Sequence, residues 1–549
     1  MAPQWVPVPN KPGVLTSGPY THICYNGDPF RNEPGAAYYA VNMRPLDPIN
    51  GGPYVRRYGD YNIAPTNATT VQWVGVFRRR GGFLNVIIQD GEILTFTVSG
   101  GGAWSKVVTT ANFATAGITF STTALVYATT YNNYLVINDG VNRPFAWDGT
   151  AGAGGLTSLT NAPSKVYGAP TVMAGKLFFI KDVAASSADR DTIVWSEENA
   201  VNTGYEAGGF LNAWTLTQQG AGPLYAICGT EGGLYYFRAN SIGVIRGAVT
   251  TDFSAAATRD NVSNSVGTVS PGGVALAGQD IWFADSRGYP HFIPADGAPI
   301  PVWQDIADFL LPLDQYAGNA PLFQGSDLTA LQVTSVPYVS GVLYSFRKLS
   351  VAYAVDHYMF NVDIHRATSR WSFVNNGDRV GEMWDDVASV AGLWCVSSGA
   401  PGQAIMNPPP NSQPRYNTST TYDAPLGRQF IPRPLGVELP SVVWRWKELA
   451  VEFDVGGNPT PGTGTITPSV GTGERLNTNS SDFASLTGTT LSAASERVTL
   501  RRTWGIGREL RWFVPQFQAT GSADLSLGGW GISRITCAVD PTPAHPSKT

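Results

Sequence analysis

Tyr134-Leu-Val-Ile-Asn-Asp-Gly-Val-Asn-Arg-Pro-Phe-Ala-Trp-Asp-Gly149 is the stretch that decides the fold. A β-rich run meets Asp139-Gly140, which reads as a turn. The second run, Arg143 to Gly149, ends the unit on Trp147, and Ala124 to Ala128 supplies a strand before it. The same order appears upstream. Val71 to Phe77 reads as a strand, Gly81-Gly82 as a turn and Phe83 to Ile88 as the next strand. Asp90-Gly91 is a hairpin signal before Ile93 to Val98, and Gly100-Gly-Gly-Ala-Trp104 closes that unit. Downstream, Thr171 to Met173, the turn at Gly175, Leu177 to Lys181 and Thr192 to Trp195 make a third copy. Trp104, Trp147 and Trp195 are separated by 43 and 48 residues. That is the blade period of a β-propeller, in which each unit is a four-stranded antiparallel sheet.

Fainter copies follow. Leu224 to Cys228, Leu234 to Arg238 and Ile242 to Arg246 form one. Gly273 to Leu276, Ile281 to Ala284 and Tyr289 to Ile293 form another, with Trp303 after it. Leu331 to Tyr338, Val342 to Phe346, Ser350 to Val355 and Tyr358 to Ile364 form a sixth, closed by Trp371. Val387 to Val390, Leu393 to Ser397 and Ala404 to Met406 are a seventh unit or part of the closure. One such sheet cannot bury both faces alone, so six or seven blades must stack and the ring must close. The Trp at the end of each unit is expected to pack between blades. Gln304 to Leu311 has the pattern of a short connector helix.

The flanks differ in texture. Residues 1–70 are rich in Pro, Gly, Asn and Tyr, and predict an extended arm that supplies a strand to a neighbouring sheet. The propeller spans 71–405. The run Met406-Asn-Pro-Pro-Pro-Asn-Ser-Gln-Pro414 opens a linker or exposed loop over 406–435. Alternating strands over 436–538 suggest a β-sandwich-like domain. Its 456–488 segment, rich in Gly, Thr, Ser and Asn, reads as a long exposed hairpin or loop, and 539–549 as a flexible tail. The fold class expected is thus all-β.

Composition narrows the chemistry. Charged residues are only 14 % of the 549, against 43 % hydrophobic, with 61 Gly and 39 Pro. A charge deficit filled by turn formers suits short strands and tight turns. The net charge of −5 argues against wrapping nucleic acid, which needs clustered cations facing phosphates. Arg78-Arg79-Arg80 and Arg501-Arg502 are short basic runs that read as solvated strand ends. Cys24, Cys228, Cys395 and Cys537 lie far apart without CxxC spacing, so neither zinc nor a redox pair is signalled. Met1 to Gly13 has no apolar h-region, and no run of 18 apolar residues occurs, so folding in a cytosol without a membrane span is expected.

No catalytic or cofactor-binding motif emerges. There is no G-x-S-x-G elbow, no P-loop and no HExxH. The repeated S-x-D-x-G-x-x-W boxes of sialidase propellers are missing, and Trp147-Asp148 and Trp384-Asp385 lie too far apart to mark a WD repeat. His22, His291, His357, His365 and His545 are scattered. Glu197-Glu198 and Asp385-Asp386 are adjacent pairs, whose side chains diverge in a strand. The single candidate metal set is Asp182, Asp189 and Asp191, loop carboxylates that could hold Ca²⁺. Their spacing matches no EF-hand, and Arg190 sits among them, so no metal is expected.

Several stretches resemble a family. Tyr134 to Gly149 looks like a blade of phage tail hub, or nozzle, proteins of short-tailed phages. Asn264-Ser-Val-Gly-Thr-Val-Ser-Pro271 followed by Gly278-Gln-Asp-Ile-Trp-Phe-Ala-Asp-Ser-Arg-Gly288 is similar to another of their stretches. Trp446-Lys-Glu-Leu-Ala-Val-Glu-Phe453, Gly507-Arg-Glu-Leu-Arg-Trp512 and Gly529-Trp-Gly-Ile532 look like their C-terminal sandwich. The resemblance covers roughly residues 70–535, and the chain looks shorter than the best-known nozzles. It implies a non-enzymatic virion protein, a homohexameric ring below the portal and its adaptor proteins. Such a ring extends the channel through which genomic DNA passes, serves DNA ejection and docks tail fibres or spikes. A receptor-binding or fibre-adaptor propeller that recognises host glycans is the alternative, and a propeller glycosidase a further one.

Overall fold

The computed structural model describes residues 13–18, 20, 22–23, 36–41, 43–45, 54–56, 61–62, 71–96, 104–183, 190–207, 212–216, 222–247, 258–295, 297–307, 328–336, 341–348, 356–363, 372–375, 379–385, 390–397, 403–407, 428–436, 442–455, 463–471, 483–487, 489–492, 498–519 and 531–542. Strands dominate them, and the architecture is an all-β propeller of seven blades joined to a second β unit.

Blades I to V are each cut from one continuous stretch and consist of four antiparallel strands in sequence order. Their inner strands are Val71–Arg79, Tyr127–Tyr131, Val166–Met173, Leu224–Thr230 and Val274–Ala277. Blade VI begins with Gln332–Val336 and blade VII with Arg379–Asp385. Each inner strand contacts the next around the ring, and that of blade VII contacts that of blade I.

The hairpins predicted from Gly dipeptides form because the turn residues accept left-handed backbone. Asp90 and Gly91 have φ of 49° and 73° between the second and third strands of blade I. Asp139 acts differently. Its buried carboxylate accepts the backbone N–H groups of Val141 and Asn142 within its own turn and that of Ser121 at 2.8 Å. With the Asn142 side-chain amide donating at 2.7 Å as well, the turn is held by four donors at once, an Asx turn with a tie back to the preceding segment.

The tryptophans divide. Trp147 lies in the third strand of blade II and is fully buried among Phe77, Val86 and Ile88 of blade I. Trp195 lies in the third strand of blade III and packs with Leu224, Leu234 and Tyr236 of blade IV. Both fill the space between blades. Trp104 instead begins the fourth strand of blade I, opposite Phe96, and is only partly buried. The near-equal spacing therefore joins non-equivalent positions. Trp371 lies outside the described residues.

Ring closure draws on the chain's beginning. Tyr61–Asn62 is the outer strand of blade VII, paired through Asn62–Ile405 and Tyr61–Met406. At the seam with blade I, the Asn85 side chain donates to the carbonyls of Phe96 and Trp384, and its oxygen accepts the Trp384 N–H at 2.7 Å. Arg78 forms an ion pair with Glu382, and the rings of Phe83 and Trp384 stand 4.2 Å apart. The backbones approach so closely that a Cβ on Gly381 would lie 2.2 Å from the Val74 carbonyl oxygen.

The arm is woven into both units. Ala36–Val41 lies between the outer strand of blade VI and Arg428–Pro432, so one eleven-stranded sheet runs from blade VI into the C-terminal part. Gly13–Ser17 and Tyr54–Arg56 both pair with Gly531–Thr542, in the sheet that also holds Val443–Val455 and Val498–Leu510. One buried cluster joins Trp282, Val333 and Tyr344 of blades V and VI to Trp446, Phe453 and Phe517.

Of the hairpin and the loop expected over 456–488, the described residues form the hairpin: Thr463–Gly471 pairs antiparallel with Phe483–Ser485, with Ile466, Pro468 and Val470 buried. Three expectations need correction. The 406–435 linker contains the sheet strand Arg428–Pro432, which the arm pairs with. The 539–549 tail starts as sheet, since the last strand runs to Thr542 against Val443. The connector helix is a single 3-10 turn, Gln304–Ile306, where it is described, and 308–311 lie outside the described residues.

Candidate functional site

The axis of the propeller holds a cavity of about 470 Å³. Its walls come from the inner strands of blades I, II, III, V, VI and VII, with Ala169 the contribution of blade III. Trp73, Tyr127, Thr129, Thr130, Thr334, Ser335 and Glu382 supply the larger and polar side chains, between Val and Ala positions. Trp73 lies over Gly75, where a Cβ would meet its ring at 2.5 Å.

One end of the cavity is crossed by the chain itself. The segment before blade V, Thr268 to Gly273, is anchored where the Ser270 hydroxyl donates to the Leu331 carbonyl and the Thr268 N–H to that of Arg238. Gly272 then bridges to Gln332 of blade VI in parallel register, and its carbonyl accepts the Val333 N–H at 2.8 Å. Pro271 offers its carbonyl to Ala169 of blade III, and the Tyr127 ring of blade II lies where a Cβ on Gly272 would be 3.1 Å away. Three blades thus converge on Ser270-Pro-Gly272, which lies within one of the stretches carrying the family resemblance.

Catalytic resources are sparse here. Glu382 is the one carboxylate among the lining residues, and Arg78 engages it. Hydrolysis of a glycosidic bond ordinarily uses two facing carboxyls. The cavity can bind, through aromatic surface and hydroxyls, more readily than it can move protons.

The predicted metal set is not brought together among the described residues. Asp182 pairs with Lys165 at 2.8 Å and Arg190 at 3.9 Å, while Asp191 pairs with Arg238 at 2.6 Å. Asp189 lies outside the described residues. Arg238 is almost fully buried and also donates to the carbonyls of Leu216 and Gly222, so Asp191 serves a strap across blades III and IV. Arg190 stacks on Tyr167 at 4.4 Å and Tyr225 at 5.4 Å. No group of three or more His, Cys, Asp or Glu gathers to hold a metal among the described residues.

The remaining candidates are structural. His291 is buried, its Nδ1 is 2.8 Å from the Tyr289 carbonyl, and burial lowers its pKa. Burial pushes the Cys228 thiol up to about 12 and raises that of Cys537 further. Glu197 accepts from the Asn212 amide at 2.8 Å. Among the described residues, no helix is long and apolar enough to cross a membrane. The sequence reading passed over the inner strand of blade VII, whose Arg379-Val-Gly-Glu-Met-Trp-Asp385 mixes charge with apolar residues. Its order of polar and apolar residues keeps no alternation of period two, the pattern by which a strand is read.

No protein-family model matches the chain, and no curated protein matches it in sequence. Solved structures are similar to parts of the chain at low identity. One is an extracellular domain described as part of a one-component system from B. thetaiotaomicron, at 10% identity and TM-score 0.37, covering 64% of this chain and 40% of that one. The chain thus spans less than half the length of that relative. Virginiamycin B lyase from Staphylococcus aureus matches at 11% identity and TM-score 0.36, over 63% of this chain and 98% of that one. PorZ, a surface component of the type-IX secretion system of Porphyromonas gingivalis, matches at 8% identity and TM-score 0.36, over 68% and 43%.

Proposed function

We propose that this chain is a non-enzymatic structural protein of a bacteriophage tail, a hub or nozzle subunit that assembles into a homo-oligomeric ring. The observation that carries the reading is the eleven-stranded sheet running from blade VI through Ala36–Val41 into the C-terminal part. A hydrogen-bonded weld between two units makes one stiff body, which suits a ring under mechanical load better than a hinged catalyst. The resemblance of Tyr134 to Gly149 and Asn264 to Gly288 to hub proteins supports the same reading, as does a cavity poor in acid and base groups.

The propeller axis does not serve as the DNA path in this proposal. A cavity of about 470 Å³ falls in the range of small-ligand sites, and Ser270 to Gly273 crosses one end. The DNA channel belongs to the axis of the oligomer, lined by several copies. Portal and adaptor proteins above, fibres or spikes below, are the partners, and assembly takes place in the host cytoplasm. Negative-stain images of the purified protein test this. Closed rings with a pore wide enough for a duplex are expected; monomers or discrete trimers that bind cells contradict it.

A further inference from the structure

We infer that the axial cavity is a binding site for a small neutral amphiphile, seated with an apolar ring at the blind end and a hydroxylated head at the mouth. This goes beyond the tail reading and does not depend on ring assembly.

The first argument is the polarity of the cavity along its axis. The Val126 N–H donates to the Gln72 carbonyl, Gly272 bridges to Gln332 in parallel register, and Gly381 lies against Val74. The inner strands therefore run the same way, and the residues that begin them meet at the end crossed by Ser270 to Gly273. The lining there includes Trp73, Leu125, Val126, Ala330 and Leu331. Val126, Ala330 and Leu331 are buried, and the indole of Trp73 lies over Gly75. Further along the same strands come Thr129, Thr130, Ser335 and Glu382, with Leu276 of blade V beside them. Leu276 is 39% exposed and the three hydroxyl-bearing residues are half-buried, so this end meets solvent.

The second argument is chemical. An apolar blind end favours a ligand part that leaves water on entering it, and an indole offers a flat face to another ring. A hydroxyl both donates and accepts, so Thr129, Thr130 and Ser335 at the mouth suit a head group that carries hydroxyls of its own.

Charge and size narrow the class. Glu382 is the one carboxylate among the lining residues, Arg78 engages it, and no Lys, Arg or His lines the cavity. An anionic ligand would find no free cation there, and a cationic one would have to displace Arg78. Burying a charge without a partner is costly, so the ligand is neutral. A volume of about 470 Å³ holds one ring and one sugar-sized head, as small-ligand sites do.

Saturation-transfer NMR titrations of the full chain test this with phenyl β-D-glucoside, glucose and phenyl β-D-glucuronide. The phenyl glucoside is expected to bind, with stronger transfer to its phenyl protons than to its sugar protons. Glucose lacks the apolar ring and the glucuronide carries a carboxylate on its head; each is expected to bind at least fivefold more weakly. Ser335→Trp, which fills the mouth, is expected to weaken the phenyl glucoside at least tenfold; Thr130→Trp serves if the first variant loses its thermal transition. No transfer from the native protein to the phenyl glucoside overturns the proposal, as does binding that survives a filling variant whose thermal transition is intact. Stronger transfer to the sugar protons reverses the seating, and equal or tighter binding of the glucuronide makes recognition ionic; either result contradicts the proposal. Rings seen by microscopy would stand whatever these outcomes.

Discussion

Blades I to V and blades VI and VII are built from the same four-stranded sheet, yet they are completed in different ways. Each of the first five takes all its strands from one contiguous stretch, with neighbours paired in sequence order. Blade VII borrows its outer strand from Tyr61–Asn62, and blade VI continues through Ala36–Val41 into the C-terminal sheet. The early blades are local structure, stabilised by turns and packing between neighbours. The late blades are long-range structure, dependent on segments hundreds of residues away. Non-local pairing carries a loop-closure cost before it gains contacts, so the late region should form last and depend most on distant sequence.

Removing residues 1–65 should produce the largest effect. Blade VII loses its outer strand, blade VI its bridge and the C-terminal sheet three strands, Gly13–Ser17, Met43–Pro45 and Tyr54–Arg56. Soluble, cooperatively unfolding protein is expected to vanish; a truncated chain with an unchanged melting temperature would erase the distinction between the two regions. Within the local region, Trp147→Ala and Trp195→Ala should each cost about 3–5 kcal/mol in denaturant titration, the range for emptying a large buried aromatic site. Trp104→Ala should cost clearly less, since Trp104 is only partly buried. Equal losses at all three positions would restore the equivalence that the spacing suggested.

The seam offers a finer test. Asn85→Ala leaves the Trp384 N–H and carbonyl without their side-chain partner. A buried polar group stripped of its bond costs about 1–3 kcal/mol, and local opening measured by hydrogen exchange should concentrate in blades I and VII. The smallest effect concerns pH. Burial lowers the His291 pKa below its usual 6.5, so the unfolded chain takes up a proton before the folded one does. Its contribution is complete above that pH and is lost as pH falls towards the depressed folded value. Nearby Asp285 opposes the depression and Arg287 adds to it. His291→Phe should flatten the slope of stability below pH 6.5.

What could be read from sequence follows the same division. Asp90-Gly91 announces a hairpin because both residues take left-handed backbone, and Asp139-Gly140 a turn because Gly140 does so while the Asp139 carboxylate accepts the turn's N–H groups. Blades I to III were legible for that reason. The Trp series gave a sound period from inexact evidence: blade length sets the recurrence, although Trp104 occupies a different strand from Trp147 and Trp195. Tyr61–Asn62 is a two-residue strand whose partner is Ile405 and Met406, and no local pattern can announce such a pairing. Thr463–Gly471 was hidden by its Gly and Thr content, though Ile466, Pro468 and Val470 keep the alternation. The axial cavity was invisible because six strands, each ordinary by itself, create it only by converging. Asp182 and Asp191 suggested metal until their cationic partners were placed beside them.

The claim beneath all of this is that the chain closes its own ring of blades with its own N-terminal strand. Cysteines placed at the paired positions Asn62 and Ile405, oxidised in dilute protein and run on a non-reducing gel, test it most directly. A cross-link within one chain, with monomer mass and a raised melting temperature, is the predicted result. Cross-linked dimers at every dilution, or no cross-link at all, would mean that blade VII is completed by something else.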